Sequence, residues 1–490
     1  MERQIPSVIS RWRWALRHTT LVVWIGTLAP LLLLIAVLLL ITQPVTAAGP
    51  TYVSGAIDTP TTWALADSPY IVTGDVTVRN SAVLTIEKGV VVSFTTGTGL
   101  HIGNLINPGT LVAEGTDTQP IAFTAYTTGL PYRGIWDGIE FSGNSPTNTL
   151  RYCLIEYAGT GVSSGDSDGH IIDHCTLRHN GDDSDPTSGG ALNIDGDRAT
   201  IADSEMYGNE LGLRLRKSNH NTIVGNQIYD NDGWGIGFIV QGGLGGGGNI
   251  ITDNQIHDNG DVGLYLDEGF NNQVLNNQIY GNGGDGVWVR SQSTLQFIGN
   301  IVRGNGQNGL TYGTPNFTPA PIHSNVLCGN INFDLQNQWA STITAEGNWF
   351  GTNSPTSSEV SGLVDYTPWI SMAMVVNPSP LPADGHSTAA LTLTLNGGGY
   401  AVPDGYTVTV SATVGDVSPP VLSLIGGQAT ATYTAGTVPG SVGFQVTDQC
   451  GTLLFTDVLT LTPSLDLAVT KTDGGLIVGP NKDYFVEYRS

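Results

Sequence analysis

Between residues 204 and 353 the apolar positions come in short alternating runs, among them Leu213-x-Leu215, Leu264-x-Leu266 and Val287-x-Val289, with Asn and Gly between them. Alternation of this kind predicts short strands, and the Asn/Gly punctuation predicts the turns that join them. The runs belong to one phrase: N-x-hydrophobic-x-x-N, a few residues, then G-hydrophobic-x-hydrophobic. It stands at Asn226 to Asn231 and recurs from Asn254, Asn277, Asn300, Asn325 and Asn348, at intervals of 28, 23, 23, 25 and 23 residues. Weaker copies run upstream through Ser204, Cys175 and Cys153. A period in the low twenties that survives insertions predicts a solenoid with one coil per repeat. Helical repeats would need longer units and an apolar period of 3.6, and neither is present.

Strands stacked on their own copy one coil later form parallel sheets, so each inward position becomes a ladder. Ile155, Leu177, Met206, Ile228, Ile256, Ile279, Val302, Leu327 and Phe350 are expected to form one apolar ladder. The Asn positions are expected to form another at the bends, each amide bonding to the neighbouring coil. Further coils are read at Ser68 to Val78, Leu84 to Val92, Leu111 to Thr124 and Gly134 to Ile139, and an ending at Gly347 to Asn353 and Tyr366 to Trp369. On these phrases the chain resembles the right-handed parallel β-helix repeat family of secreted and surface bacterial proteins, over roughly 51 to 370. The resemblance implies about twelve coils and a rod of roughly 55–60 Å. It implies no activity, because the same solenoid carries lyases, hydrolases and inert scaffolds.

Arg3, Arg11, Arg13 and Arg17 precede an uncharged apolar run from Leu21 to Ile41, and small residues follow at Val45 to Ala48. Residues 1–48 therefore read as a signal peptide, or as an N-terminal anchor if uncleaved. Either way the remainder is expected outside the cell or on its surface. The solenoid is assigned to 49–370. Asn377-Pro-Ser-Pro380-Leu-Pro382 makes 371–382 a Pro-rich linker, and the alternating runs after it predict a β-sandwich over 383–463. Ala383-Asp-Gly385-His-Ser-Thr388 resembles bacterial Ig-like domains of the invasin and intimin type. Leu465 to Lys471 resembles the start of a repeat domain of bacterial surface proteins, so 464–490 reads as its truncated beginning. The fold class is thus all-β: a right-handed parallel β-helix followed by an Ig-like β-sandwich.

A formal charge of −24, with only 18 Lys and Arg, argues against a nucleic-acid partner, which needs a basic footprint. Cys153 and Cys175 share a phase on adjacent coils and read as stacked free thiols, since parallel stacking holds their Cβ atoms too wide for a relaxed bridge. Cys328 and Cys450 receive no role.

The densest acidic site pairs Asp166-x-Asp168 with Asp195-x-Asp197, brought to one edge if the insertion around Asp182 to Gly190 absorbs the extra length. Four carboxylates on adjacent coils repel unless a cation bridges them, and calcium suits such oxygen ligands; the other reading is a solvated acidic turn. Arg214 and Lys217 would serve a lyase as base or serve these aspartates as salt-bridge partners. Asp182-Asp183 and Arg214-Leu-Arg216-Lys217 resemble two phrases of pectin-type hydrolases, whose N-T-D and G-H-G partners are missing. His170, His174 and His179 lie near Asp173 and Cys175 but alternate in phase, which favours stacked histidines over a metal site. Tyr265, Trp288 and Tyr312 are expected to share an outward phase and form a stripe that stacks on sugar rings, or else simply covers the sheet; Trp234 is offset by two positions.

These features favour an exported scaffold, adhesive or glycan-binding and non-catalytic, whose partner is a polysaccharide or surface glycan. The alternative is a carbohydrate-active enzyme, a polysaccharide lyase or glycoside hydrolase.

Overall fold

The computed structural model describes residues 49–464 except 105, 144, 183–188, 240–245, 268, 292–293 and 314–320. The export segment 1–48, and all of 464–490 but its first residue, lie outside the described residues, as do Asp183 and Asp185 of the insertion.

Each coil contributes three short strands, typified by Thr222–Val224, Gln227–Tyr229 and Ile236–Ile239. Each strand pairs in parallel with its copy in the next coil, which builds three columns. The column containing Gln227–Tyr229 is the first face, that of Ile236–Ile239 the second and that of Thr222–Val224 the third. The first two join into one 23-stranded sheet through Tyr70–Val78, a long strand that pairs with both Val91–Phe94 and Gly99–Ile102. The third face holds eleven strands, and a pair at Ile343–Thr344 and Val364–Asp365 lies beyond it, in keeping with about twelve coils.

The apolar ladder lies where the repeat places it. Ile155, Leu177, Met206, Ile228, Ile256, Ile279, Val302 and Leu327 are mutual register partners in consecutive coils, and all are buried. Phe350 follows, since its neighbour Trp349 bridges Val326. The Asn side chains lie inside at the bends. Asn226, Asn254, Asn277, Asn300, Asn325 and Asn348 form one chain in which each Nδ2 donates to the next Oδ1 at 2.9–3.1 Å. Asn180, Asn209, Asn231, Asn259, Asn282, Asn305 and Asn330 form a second, which ends on the Asp334 carboxylate. A third runs through Asn221, Asn249 and Asn272, each five residues ahead of a member of the first. Each amide also satisfies backbone groups that a buried bend would otherwise leave without partners.

Residues 371–382 are not a linker. Ser371–Asn377 pairs antiparallel with Thr388–Gly397, and Leu381–Pro382 pairs with the end of Thr452–Thr462, so the segment supplies a strand to each of two facing five-stranded sheets. Proline is tolerated here because the segment runs along sheet edges. Leu391, Leu393 and Tyr433 of one sheet pack against Val410, Phe444 and Leu459 of the other. The same core takes in Ile301, Val326, Cys328 and Trp349 from the last coils, so the sandwich covers the C-terminal end of the first face. A Cys328–Cys450 disulfide closes this junction, a role the sequence reading did not give either cysteine. Trp349 Nε1 donates to Asp448 at 2.9 Å, and Arg303 Nε donates to Gln449 at 3.1 Å.

Candidate functional site

The outward positions of the second face form one line in register: His101, Glu140, Ser163, Asn193, Arg214, Gly237, Tyr265, Trp288, Thr311 and Gln336. Tyr265 and Trp288 therefore stand as neighbours, with ring centroids 5.4 Å apart and edge to face. Tyr312 does not join them. It pairs with Val289 and, one coil on, lies in the inward ladder with Leu266, fully buried, while Thr311 takes the outward place. Counted from the glycine that opens each strand, Tyr265 and Trp288 are second residues and Tyr312 is a third. Burial accordingly pushes the Tyr312 hydroxyl well up. The third aromatic of the cluster is Trp234, stacked on Tyr265 at 4.8 Å and 26°. Its Nε1 donates to Asp261 at 3.1 Å.

Charged pairs flank this line. Arg290 Nη1 donates to Asp267 at 2.8 Å, and Arg216 Nε donates to Asp195 at 3.0 Å. Arg214 Nε donates to Asn193 at 3.0 Å. Arg214 and Arg216 thus anchor onto the preceding coil.

The four aspartates read as calcium ligands lie on adjacent coils without closing into one group of ligand atoms. Asp166 is exposed. Asp168 accepts the Asp197 backbone N–H at 2.8 Å and pairs with Arg198, while Asp197 accepts from Asn219. Asp195 Oδ2 is held by Arg216, and only its Oδ1, which is buried, lacks a partner. Arg216 and Arg198 thus place positive charge beside two of the four carboxylates. Among the described residues, the group of three ligand types close enough to hold an ion is Asp173, His174 and Asp203. Arg151 stands 3.5 Å from Asp173, and Tyr152 stacks on His174 at 4.7 Å. Two of the nearby sequence-noted histidines also settle into stacks or the core: His179 stacks on Tyr157 and His170 lies buried against Phe141, with burial lowering its imidazole to about 4. Cys153 and Cys175 are buried free thiols, and burial raises the Cys153 thiol.

At the other end of the second face His101 Nδ1 lies 2.8 Å from Glu140, and His101 Nε2 lies 3.9 Å from Asp75. The hydrogen bond to Glu140 raises the imidazole above its ordinary value and holds the carboxyl below its own. Five coil steps separate Glu140 from Tyr265, roughly 24 Å. The sequence reading passed over this pair, because the two residues are 39 apart and no local phrase joins them.

The family described as right handed beta helix region matches residues 132–244 and 243–326, and the family described as pectate-lyase like beta helix domain matches 55–187. No curated protein matches the sequence. Among solved structures, the A-module of the Azotobacter vinelandii mannuronan C-5 epimerase AlgE6 aligns at 15% identity over 66% of this chain and 91% of its own, with a TM-score of 0.36. The periplasmic alginate epimerase AlgG aligns at 15% over 63% and 84%, with a TM-score of 0.37. The Dettilon tailspike protein (gp208) aligns at 15% over 84% and 85%, with a TM-score of 0.32. Likeness of this degree concerns the coil architecture alone. With its registered coils and its family matches, the chain is a right-handed parallel β-helix repeat protein.

Proposed function

We propose that this protein is an exported, non-catalytic scaffold that binds an extended glycan along the second face. The observation that carries the reading is the cluster of Trp234, Tyr265 and Trp288, the last two set in one outward line with Arg214, flanked by the Arg216–Asp195 and Arg290–Asp267 pairs. Aromatic faces suit the C–H faces of sugars, and ion pairs tied to the preceding coil present fixed hydrogen-bonding edges to hydroxyls. Trp288 is 37% exposed and thus available, whereas Tyr265 serves mainly as its support. Export rests on the basic and apolar pattern of residues 1–48. Electrophoresis through gels containing single polysaccharides tests the proposal. Retardation by at least one polymer, lost in Trp288→Ala, is expected; equal migration in every gel would overturn it.

The enzyme reading draws on a separate observation, the His101–Glu140 pair with Asp75 nearby. An imidazole held between carboxylates suits proton transfer. New reducing ends or unsaturated products from any polysaccharide, abolished in His101→Gln, would favour it over the scaffold.

A further inference from the structure

The first face carries a second outward line that the glycan proposal does not use. Arg178, Tyr207, Tyr229, His257, Tyr280 and Arg303 are register partners on six consecutive coils. The rings of Tyr207, Tyr229, His257 and Tyr280 stack in parallel at 4.7–5.1 Å, and Arg303 closes the stack 4.7 Å from Tyr280. Their faces cover one another, so the stack presents edges rather than faces. Two residues earlier in the same strands runs an accompanying line of Glu205, Gln227, Gln255 and Gln278. Gln227 and Gln278 are exposed.

Charge and shape select an occupant. The turns on either side of the strip carry exposed Asp203, Asp253, Asp230 and Asp258, so a polyanion is repelled. Between these rims the strip offers side-chain amides and phenol groups at one coil's spacing, about 4.8 Å, close to the length of one sugar unit in an extended chain. At its C-terminal end the strip meets the sandwich, where Arg303 donates to Gln449 and the Cys328–Cys450 disulfide fixes the turn that holds Gln449.

We infer that this strip is a binding track for one end of a neutral, extended polysaccharide, laid along the solenoid axis with its terminus against the sandwich. The track is distinct from the Trp234–Tyr265–Trp288 site, and neither depends on the other. Internal sugar units lie over the Gln–Tyr rows, each hydroxyl pair exchanging water for an amide and a ring edge. The terminal unit abuts Arg303 and Gln449.

Calorimetric titration of the full chain with neutral β-1,4-linked oligosaccharides, from dimer to octamer, tests the inference. Affinity is expected to rise with each unit up to about the pentamer and then level off. Gln255→Ala/Gln278→Ala should weaken pentamer binding on the order of tenfold, as expected for two lost hydrogen-bonding groups. Uronate oligomers of equal length should bind the double variant and the wild type alike. No binding by any neutral oligomer would overturn the track. So would affinity indifferent to the glutamine changes. Since the substituted glutamines are surface residues, unchanged thermal unfolding of the double variant serves as the folding control.

Discussion

The indole of Trp234 lies where a side chain at Gly237 would stand. A Cβ built on Gly237 comes 2.5 Å from the Trp234 ring, and Gly237 is the outward register partner of both Arg214 and Tyr265. The glycine thus leaves a gap in the outward line, and a tryptophan three residues earlier fills it and stacks on Tyr265. Gly237→Ala should therefore displace the indole and cost about 1–3 kcal/mol by overpacking. It should also weaken glycan binding together with Trp234→Ala. Chemical unfolding and a binding titration on the two variants check this.

The amide ladders make a sharper stability prediction. Asn254 donates to Asn277, Ile223 and Thr252, and its own Oδ1 accepts from Asn226. Asn254→Ala leaves several buried partners without a bond, a loss on the order of 3–5 kcal/mol. In a solenoid each coil depends on its neighbours, so the damage should spread to adjacent coils first. Hydrogen exchange should show protection lost in the coils carrying Asn226 and Asn277 before the N-terminal coils.

Asp334 ends one of these ladders with a carboxylate in place of an amide. Burial raises it from 3.8 to about 7, outweighing the bonds from Asn330 that act in the opposite direction. Because the folded value is raised, this group's contribution to stability is fully present below pH about 4 and is lost as pH rises through about 7. Asp334→Asn supplies a neutral amide, so it should stabilise the protein above pH 7 by on the order of 2–4 kcal/mol and have little effect near pH 4. Unfolding free energies across that range, wild type against variant, decide the matter.

The four aspartates give a prediction of the opposite kind. With Arg216 on Asp195 and Arg198 on Asp168, added calcium should shift thermal unfolding little. Arg216→Ala should destabilise the protein, because it leaves a largely buried carboxylate without its partner. A large calcium-induced stabilisation of the wild type, abolished by Asp195→Ala, would contradict this.

What could be read in the sequence was whatever repeats. Ile228, Ile256 and Ile279 announce their ladder because one coil copies the next, and the Asn226 series does so for the same reason. The third amide line at Asn221, Asn249 and Asn272 follows the same period but begins outside the phrase. The first-face aromatics follow the inward residue directly, as in Ile228-Tyr229 and Ile256-His257, and so were available to the same count. Tyr312 was misplaced by a single residue, enough to turn a strand side chain from outward to inward. The Cys328–Cys450 bridge and the His101–Glu140 pair had no such signal. Both depend on contacts between distant segments that no local phrase encodes.

On the proposed function, the second face binds glycan and leaves it intact. The most direct measurement is titration calorimetry with the polysaccharide most retarded in the gels, on wild type and on Tyr265→Ala/Trp288→Ala, with product analysis of the recovered cell contents. Saturable heat is expected for wild type, with a clear loss of heat in the double variant and unaltered polymer. Equal heat in both proteins, or a shortened or unsaturated polymer, would contradict it.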